Sequence, residues 1–201
     1  MKLAKLVKEY GLPYHVALGI DLYSGKESEL FKWFLASILF GKRIGENIAV
    51  KTYKTFEKYK VLTPKKILDA GWDELVKILD EGGYVRYDFS TADKLSDICK
   101  VLLEKYGSLT KLYEQAEDAQ DLEQKLLEFK GVGPVTVNIF LRELRVVWPK
   151  SDTAVSPFSL KAAKKLRIKL KKERTKKFMK LEVALLRIWK NFYKKNKQPS
   201  L

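Results

Sequence analysis

The sequence predicts an all-α protein on three observations. Apolar residues recur at helical spacing along nearly the whole chain, no stretch alternates apolar and polar residues as a half-buried strand would, and no segment repeats at a fixed period. The periodic segments are short and punctuated by Gly and Pro, so the expectation is nine or ten short helices. "ESELFKWFLASILFGK" (27–42) is apolar nearly all round, which marks a central buried helix. "NIAVKTYKTFEKY" (47–59) follows. "TPKKILDAG" (63–71) carries Thr63 as N-cap, Pro64 at the first helical position and Gly71 as its stop. "WDELVKILDEGG" (72–83) is closed by Gly82 and Gly83. "TADKLSDICKVLLEKYG" (91–107) starts from an N-cap at Ser90 or Thr91 and ends at Gly107. "SLTKLYEQ" (108–115) and "AQDLEQKLLEFK" (119–130) complete the run.

With 201 residues, 46% of them hydrophobic and 12% aromatic, the chain has enough apolar side chains for one domain or for two lobes sharing a chain. The single cysteine, Cys99, excludes a disulfide framework; its place between Ile98 and Val101 makes it a small core residue. The start "MKLAKLVKEYGLPYHV" contains no apolar leader core. The longest apolar run, "WFLASILF" (33–40), falls far short of the ~20 residues that cross a bilayer. The expectation is an intracellular chain, cytoplasmic or nucleoid-associated, with no membrane partner.

The net charge of +15 is unevenly placed. Residues 161–201 hold 16 Lys and Arg against two acids, Glu173 and Glu182, while the other 160 residues hold 24 basic and 23 acidic groups. A nearly neutral body joined to a basic end suggests a polyanionic partner. In that end Phe178, Val183, Leu186, Trp189 and Tyr193 fall at helical spacings, so its lysines sit on a packed helix. Nucleic acid is the expected partner, ahead of an acidic membrane surface or a merely solvated face.

"LLEFKGVGPVTVNIFLREL" (126–144) places a Gly–Val–Gly turn between two helical patterns, with Pro134 just inside the second. Gly131 and Gly133 allow positive φ or close approach of another molecule. The N–H groups of Val132, Gly133, Val135 and Thr136 are then expected to meet at a helix N-terminus, a seat for phosphate. A plain corner between two helices accounts for the same residues.

This stretch resembles the helix–hairpin–helix of the DNA glycosylase superfamily that includes endonuclease III. "FKWFLASILFGKRIGENIAVKTYKTF" is similar to that family's first buried helix and following loop, "GGYVRYDFSTADKLSDICKVLLEKYG" to its Gly–aromatic segment, and "WPKSDTAVSPFSLKAAKKL" to the segment bearing its essential Asp. The resemblance covers roughly residues 28–168, in the family's order. It implies a lobe over residues 24–147 containing the hairpin, a second lobe from 1–23 and 148–201, and a cleft between them.

The resemblance implies that Asp152 is the catalytic carboxylate, stabilising positive charge on the sugar as the N-glycosidic bond breaks. By its residues alone Asp152 suits equally the N-cap of a helix after Pro149. Strand-nicking members carry a nucleophilic Lys directly before the hairpin Thr; Val135 stands there, before Thr136, so the resemblance points to a monofunctional enzyme that leaves an abasic site. A bifunctional enzyme using another lysine, such as Lys150, and a non-catalytic helix–hairpin–helix DNA-binding protein are the alternatives. One cysteine precludes the family's iron–sulfur cluster, and His15, the only histidine, is assigned a surface or half-buried role without metal ligation. A monovalent cation on hairpin carbonyls would involve Leu127, Phe129 and Val132.

The partner implied is double-stranded DNA with a lesion or mismatch, bound by a monomer. Its DNA-facing set is Lys130, Gly131, Val132, Gly133, Val135 and Thr136 of the hairpin, with Lys42, Arg43, Tyr84 and Arg86. Arg43 aligns with the wedge that fills the space of a flipped base, though it equally fits an exposed loop cation, and Tyr84 and Tyr87 equally fit the core. Trp33, Trp72, Trp148 and Trp189 are expected to pack. The excised base is left open among uracil or thymine opposite guanine, oxidised guanine, hypoxanthine and alkylated purines.

Overall fold

The segment that is apolar on every side becomes the centre of the molecule. A computed structural model describes residues 3–193, and every regular element in that range is helical. In chain order the α-helices are α1 (Leu3–Tyr10), α2 (Tyr14–Ala17), α3 (Glu27–Phe40), α4 (Glu46–Lys58), α5 (Pro64–Gly82), α6 (Asp88–Val101), α7 (Leu109–Gln115), α8 (Ala119–Leu127), α9 (Pro134–Leu144), α10 (Pro157–Lys165) and α11 (Lys176–Ile188). Two helices before residue 24, one of four residues, raise the count above nine or ten. The side chain of Tyr193 and residues 194–201, part of the expected second lobe, lie outside the described residues.

The cap expected at Thr63 forms, and Ser108 and Asp118 cap α7 and α8 in the same way. The Thr63 hydroxyl accepts from the Lys66 N–H at 3.3 Å, Ser108 from Lys111 at 3.1 Å and Asp118 from Asp121 at 2.8 Å. Gly71 ends the first helical segment as expected: at φ 73° and ψ 172° it leaves the helical region, and a second helical segment follows at once, the two making up α5 with a break between them. α6 starts three residues before Thr91, with Tyr87 as N-cap and no side-chain cap bond, so neither Ser90 nor Thr91 serves.

α3 buries nine of its fourteen residues and packs against α4, α7 and α9. The Phe34 ring meets Phe129 and Phe140 at centroid distances of 5.8 and 5.0 Å, and the Trp33 indole N–H donates to the Phe140 carbonyl at 3.0 Å. Each such fully buried large side chain contributes about 1.5–3 kcal/mol, so α9 is fixed on α3 chiefly by apolar contact. The large core extends from Tyr14 and Leu22 through Trp148 to Val183 and Leu186; two smaller clusters join α1, α10 and α11 around Leu6, Ala184, Ile188 and around Ala162, Ala163, Leu185. Cys99 lies in the large core, where burial pushes its thiol up to about 12. None of the described helices is long and apolar enough to cross a membrane.

His15 is neither at the surface nor half-buried. It is 1% exposed, and its Nδ1 lies 2.7 Å from the Glu143 carboxylate. That carboxylate also accepts the Tyr14 and His15 backbone N–H groups at 3.0 and 2.9 Å, and so caps α2 from the last turn of α9. The sequence does not announce this pairing because 128 residues separate the partners. Burial works to raise the Glu143 carboxyl, but the His15 hydrogen bonds and the charges of Arg142 and His15 outweigh it and hold the group below its ordinary value. A depressed carboxyl adds stability above its unfolded value and loses it as pH falls. Glu143→Gln is therefore expected to cost about 3 kcal/mol near neutral pH. Thermal melts should show the gap between variant and parent beginning to narrow as pH falls below 4.5, the ordinary value, and narrowing further toward the lowered folded value; a gap that does not change with pH through the acid range would refute this role.

Candidate nucleic-acid interface

The turn between α8 and α9 closes on itself before α9 begins. The Val132 N–H donates to the Phe129 carbonyl at 2.9 Å, and Gly131 adopts φ 87°, as the third residue of a type II turn requires. Val132 therefore has no amide to offer, contrary to expectation, and its side chain is buried at 5% exposure. One of the three carbonyls considered for a cation, that of Phe129, already accepts this bond. Among the described residues no group of three or more His, Cys, Asp or Glu is placed to share a metal ion.

What remains open is the start of α9. Its first helical bond is Val137 N–H to Gly133 carbonyl at 3.1 Å, Pro134 has no N–H, and the N-cap Gly133 brings no side-chain acceptor. The amides of Gly133, Val135 and Thr136 have no hydrogen-bond partner among the described residues. Gly133 itself has φ −107° and ψ 176°, extended backbone that any residue adopts before proline. A Cβ added there meets nothing within 4 Å. Only Gly131 uses positive φ, so the chain itself does not require glycine at 133; an approach from outside would.

Around this corner the structure assembles a basic rim. A Cβ on Gly41 would overlap the Thr136 hydroxyl, so the loop after α3 rests on the first turn of α9. The stem of Lys94, on α6, lies against Gly131, and its amine meets that of Lys42. Desolvation, with the hydrogen bond and charge of Lys94, lowers the Lys42 amine to about 8. Two amines thus meet beside the open amides, both absent from the ion pairs that the described residues form. Lys94 was not foreseen; in "TADKLSDICK" it reads as one more exposed position of an amphipathic helix. Lys130 is exposed, 3.6 Å from Asp97, and Arg43 is exposed on the Gly41–Gly45 loop. Arg86 is exposed over the Tyr87 ring at 5.6 Å. Tyr84 is not on this rim: it is 0% exposed, its hydroxyl donates to the Leu39 carbonyl at 2.6 Å, and it belongs to the core. Trp33 and Trp148 pack as expected, but Trp72 is 43% exposed, bonds Asp93 and tilts against Phe89 at 5.3 Å.

Asp152 does not cap a helix; α10 begins at Pro157 with Ser156 as its N-cap. The segment that carries it is laced to α9. The Ser151 hydroxyl donates to the Leu141 carbonyl at 2.6 Å, Arg145 to the Thr153 carbonyl at 3.1 Å, and the Asn138 side-chain amide to the Ala154 carbonyl at 2.7 Å and the Thr153 hydroxyl at 3.2 Å. Asn138, Leu141 and Arg145 recur at helical spacing on one face of α9, and Val135 precedes Asn138 by one turn on that face. Val135 is 62% exposed. The Asp152 carboxylate, 39% exposed, points to the basic segment before α11, with Lys172 at 3.0 Å and Arg174 at 3.6 Å.

The ammonium of Lys150 donates to the carbonyls of Tyr113, Glu114 and Ala116, closing the C-terminal end of α7, and lies over the Tyr113 ring. Those bonds would have to break before the amine could act as a nucleophile. A wide basin of about 580 Å³ lies apart from Asp152, lined by Lys161, Lys164, Lys165, Arg167 and Trp189. Neither a scan against protein-family models nor a search of the curated proteins returns a match for this chain.

Gly133→Val is expected to fold like the parent, since a Cβ there meets open space, yet bind duplex DNA roughly tenfold more weakly, about the worth of one hydrogen bond to a charged group, because its side chain would stand where a phosphate approaches the open amides. Lys42→Ala and Lys94→Ala should each reduce the log–log salt slope of binding by about one. Equal affinity of Gly133→Val and parent in a filter-binding titration would show that the corner does not face a phosphate.

Proposed function

We propose that this chain is a DNA glycosylase of the helix–hairpin–helix kind, which hydrolyses the N-glycosidic bond of a damaged or mismatched base and leaves the strand intact. One observation carries the reading: the open amides at the start of α9 and the segment bearing Asp152 are fastened to the same helix, through Asn138, within its first two turns. A backbone phosphate on the amides of Gly133, Val135 and Thr136 would hold the duplex in register without reading bases. The adjacent nucleotide, turned out of the stack, would then stand before Asp152.

In the proposed reaction the bond between the base nitrogen and C1′ breaks, and its electron pair leaves with the base. Asp152 stabilises the positive charge that develops on the sugar, and water adds to C1′ with loss of a proton by way of the carboxylate. The departing base gains a proton, and the sugar is left as an abasic hemiacetal. Lys172 and Arg174 screen the carboxylate from the phosphates that the duplex brings beside it. The position for a strand-nicking lysine is held by Val135, which has no amine, and Lys150 is committed to α7. The basic C-terminal region, including Lys161, Lys164, Lys165 and Arg167, adds attraction for the backbone without base information.

Asp152→Asn should lower single-turnover base release by ~10²–10³, the effect of removing one electrostatic stabiliser, while affinity for DNA holds or rises as a negative charge disappears. The parent's product should be an unbroken strand that cleaves only after alkali or heat. Undiminished release by Asp152→Asn would place the carboxylate elsewhere, and a borohydride-trapped adduct would overturn the monofunctional assignment.

A further inference from the structure

One interior cation lacks the partner that burial demands. Arg142, on α9, is 2% exposed, yet among the described residues it makes no hydrogen bond and no ion pair, and its Nε is buried with nothing to donate to. Its neighbour Arg145 is equally buried but places one nitrogen 2.7 Å from Glu182 and another 3.1 Å from the Thr153 carbonyl. An enclosed guanidinium with no protein acceptor is costly unless water, a ligand or a nearby charge satisfies it, so its donors are available to a ligand.

The charges that face it are already engaged. The Glu143 carboxylate is taken by the Tyr14 and His15 amides and the His15 ring, and Glu46 by the Tyr14 hydroxyl at 2.8 Å and Arg187 at 3.5 Å. Arg187 itself lies 4.3 Å from the Tyr14 ring centroid and adds a like charge rather than a partner. Through-space attraction from Glu143 offsets part of the cost, but no carboxylate reaches the fork of Arg142.

Its position on α9 supplies the ligand. Arg142 follows Val135 by seven residues, which is two turns along the same face. Val135, 62% exposed, marks the open end of that strip and Arg142 the closed end. One flank is the Asp152 segment, fastened through Asn138; the other is the Tyr14–His15 segment, fastened through Glu143. A group that entered past Val135 and followed this strip inward would run toward the Arg142 fork.

We infer that Arg142 is a specificity-determining residue that reads the edge of the flipped base, and that this base is a 6-oxopurine with an unprotonated N7. The inference rests on the glycosylase reading. Two parallel N–H donors require two adjacent acceptors, and the O6/N7 edge provides them. Hypoxanthine and xanthine, the deamination products of adenine and guanine, carry that edge. Uracil and thymine set an N–H between their carbonyls, 8-oxoguanine carries hydrogen on N7, and 7-methylguanine blocks N7 with a methyl group. Guanine shows the same edge but is retained by its pairing with cytosine, whereas a mispaired base leaves the stack at lower cost.

The test uses the full chain and duplexes with a single hypoxanthine, xanthine, uracil, 8-oxoguanine or 7-methylguanine, measuring base release and affinity relative to undamaged duplex. Hypoxanthine and xanthine should be bound and released in preference to the rest. Replacing hypoxanthine by 7-deazahypoxanthine, which lacks one acceptor, should cut the binding preference by roughly 10- to 100-fold. Arg142→Met should lose that preference, bind undamaged duplex like the parent, and melt no lower, since it removes an unpaired buried charge. Release of uracil or 8-oxoguanine with hypoxanthine untouched would overturn the Arg142 assignment and leave the glycosylase reading standing. No release and no preference with any duplex would overturn both. An Arg142→Met chain that melts well below the parent would assign Arg142 to the core, and if it does not fold, an unchanged preference for 7-deazahypoxanthine with the parent would refute the inference.

Discussion

The buried pair of Arg145 and Glu182 is the constraint on which the candidate site depends. Both side chains are 1% exposed or less and meet at 2.7 Å. Arg145 also holds the Thr153 carbonyl, while Glu182 accepts the Ser156 N–H at 2.9 Å and, through its own carbonyl, the Ser159 hydroxyl at 2.9 Å. Two charges, one just past the end of α9 and one on α11, thus clamp the non-helical stretch that carries Asp152. Such a pair returns little net stability, because desolvation consumes much of its attraction. What it provides is position: the stretch that bears Asp152, otherwise a free loop, is held against one face of α9, with the carboxylate turned to Lys172 and Arg174.

α9 carries an unusual load for a helix so deeply packed. Arg142, Glu143 and Arg145 are all buried, each turned to a different neighbour: Glu143 to α2, Arg145 to α11, and Arg142 to neither. Meanwhile Trp33, Phe34 and Phe129 hold its other side with apolar contact. The helix is therefore fixed by hydrophobic burial on one side and by long-range polar bonds on the other. Its N-terminal turn is left uncapped, which is where the polar groups of a helix are cheapest to leave for a ligand.

Much of this was legible in the sequence, and the rest was hidden for identifiable reasons. The all-α class, the buried α3 and the cap at Thr63 followed from periodicity and local chemistry. The turn at Gly131 and its place before α9 followed from Gly–Val–Gly–Pro. The closing of the Val132 amide did not, because the turn type decides it. Tyr84 was placed on the rim because an aromatic residue after two glycines reads either way until Leu39 is seen to accept its hydroxyl. His15, Lys94 and Arg142 share a different reason. Their meaning lies in partners far along the chain, or in the lack of one, and spacing along a sequence carries neither.

The placement of charge fits the same account. Lys42 and Lys94 crowd one edge of the corner, Lys172 and Arg174 guard Asp152, and Lys161 to Arg167 line a separate basin. On the proposed function these groups would attract a polyanion, and the corner and Asp152 would give it a defined register. The most direct measurement is a structure of the Asp152→Asn chain bound to duplex carrying a single lesion. The account predicts one phosphate on the amides of Gly133, Val135 and Thr136, with the adjacent nucleotide out of the stack and its sugar facing residue 152. A duplex lying across the Lys161–Arg167 basin, with the corner in solvent and every base stacked, would contradict it.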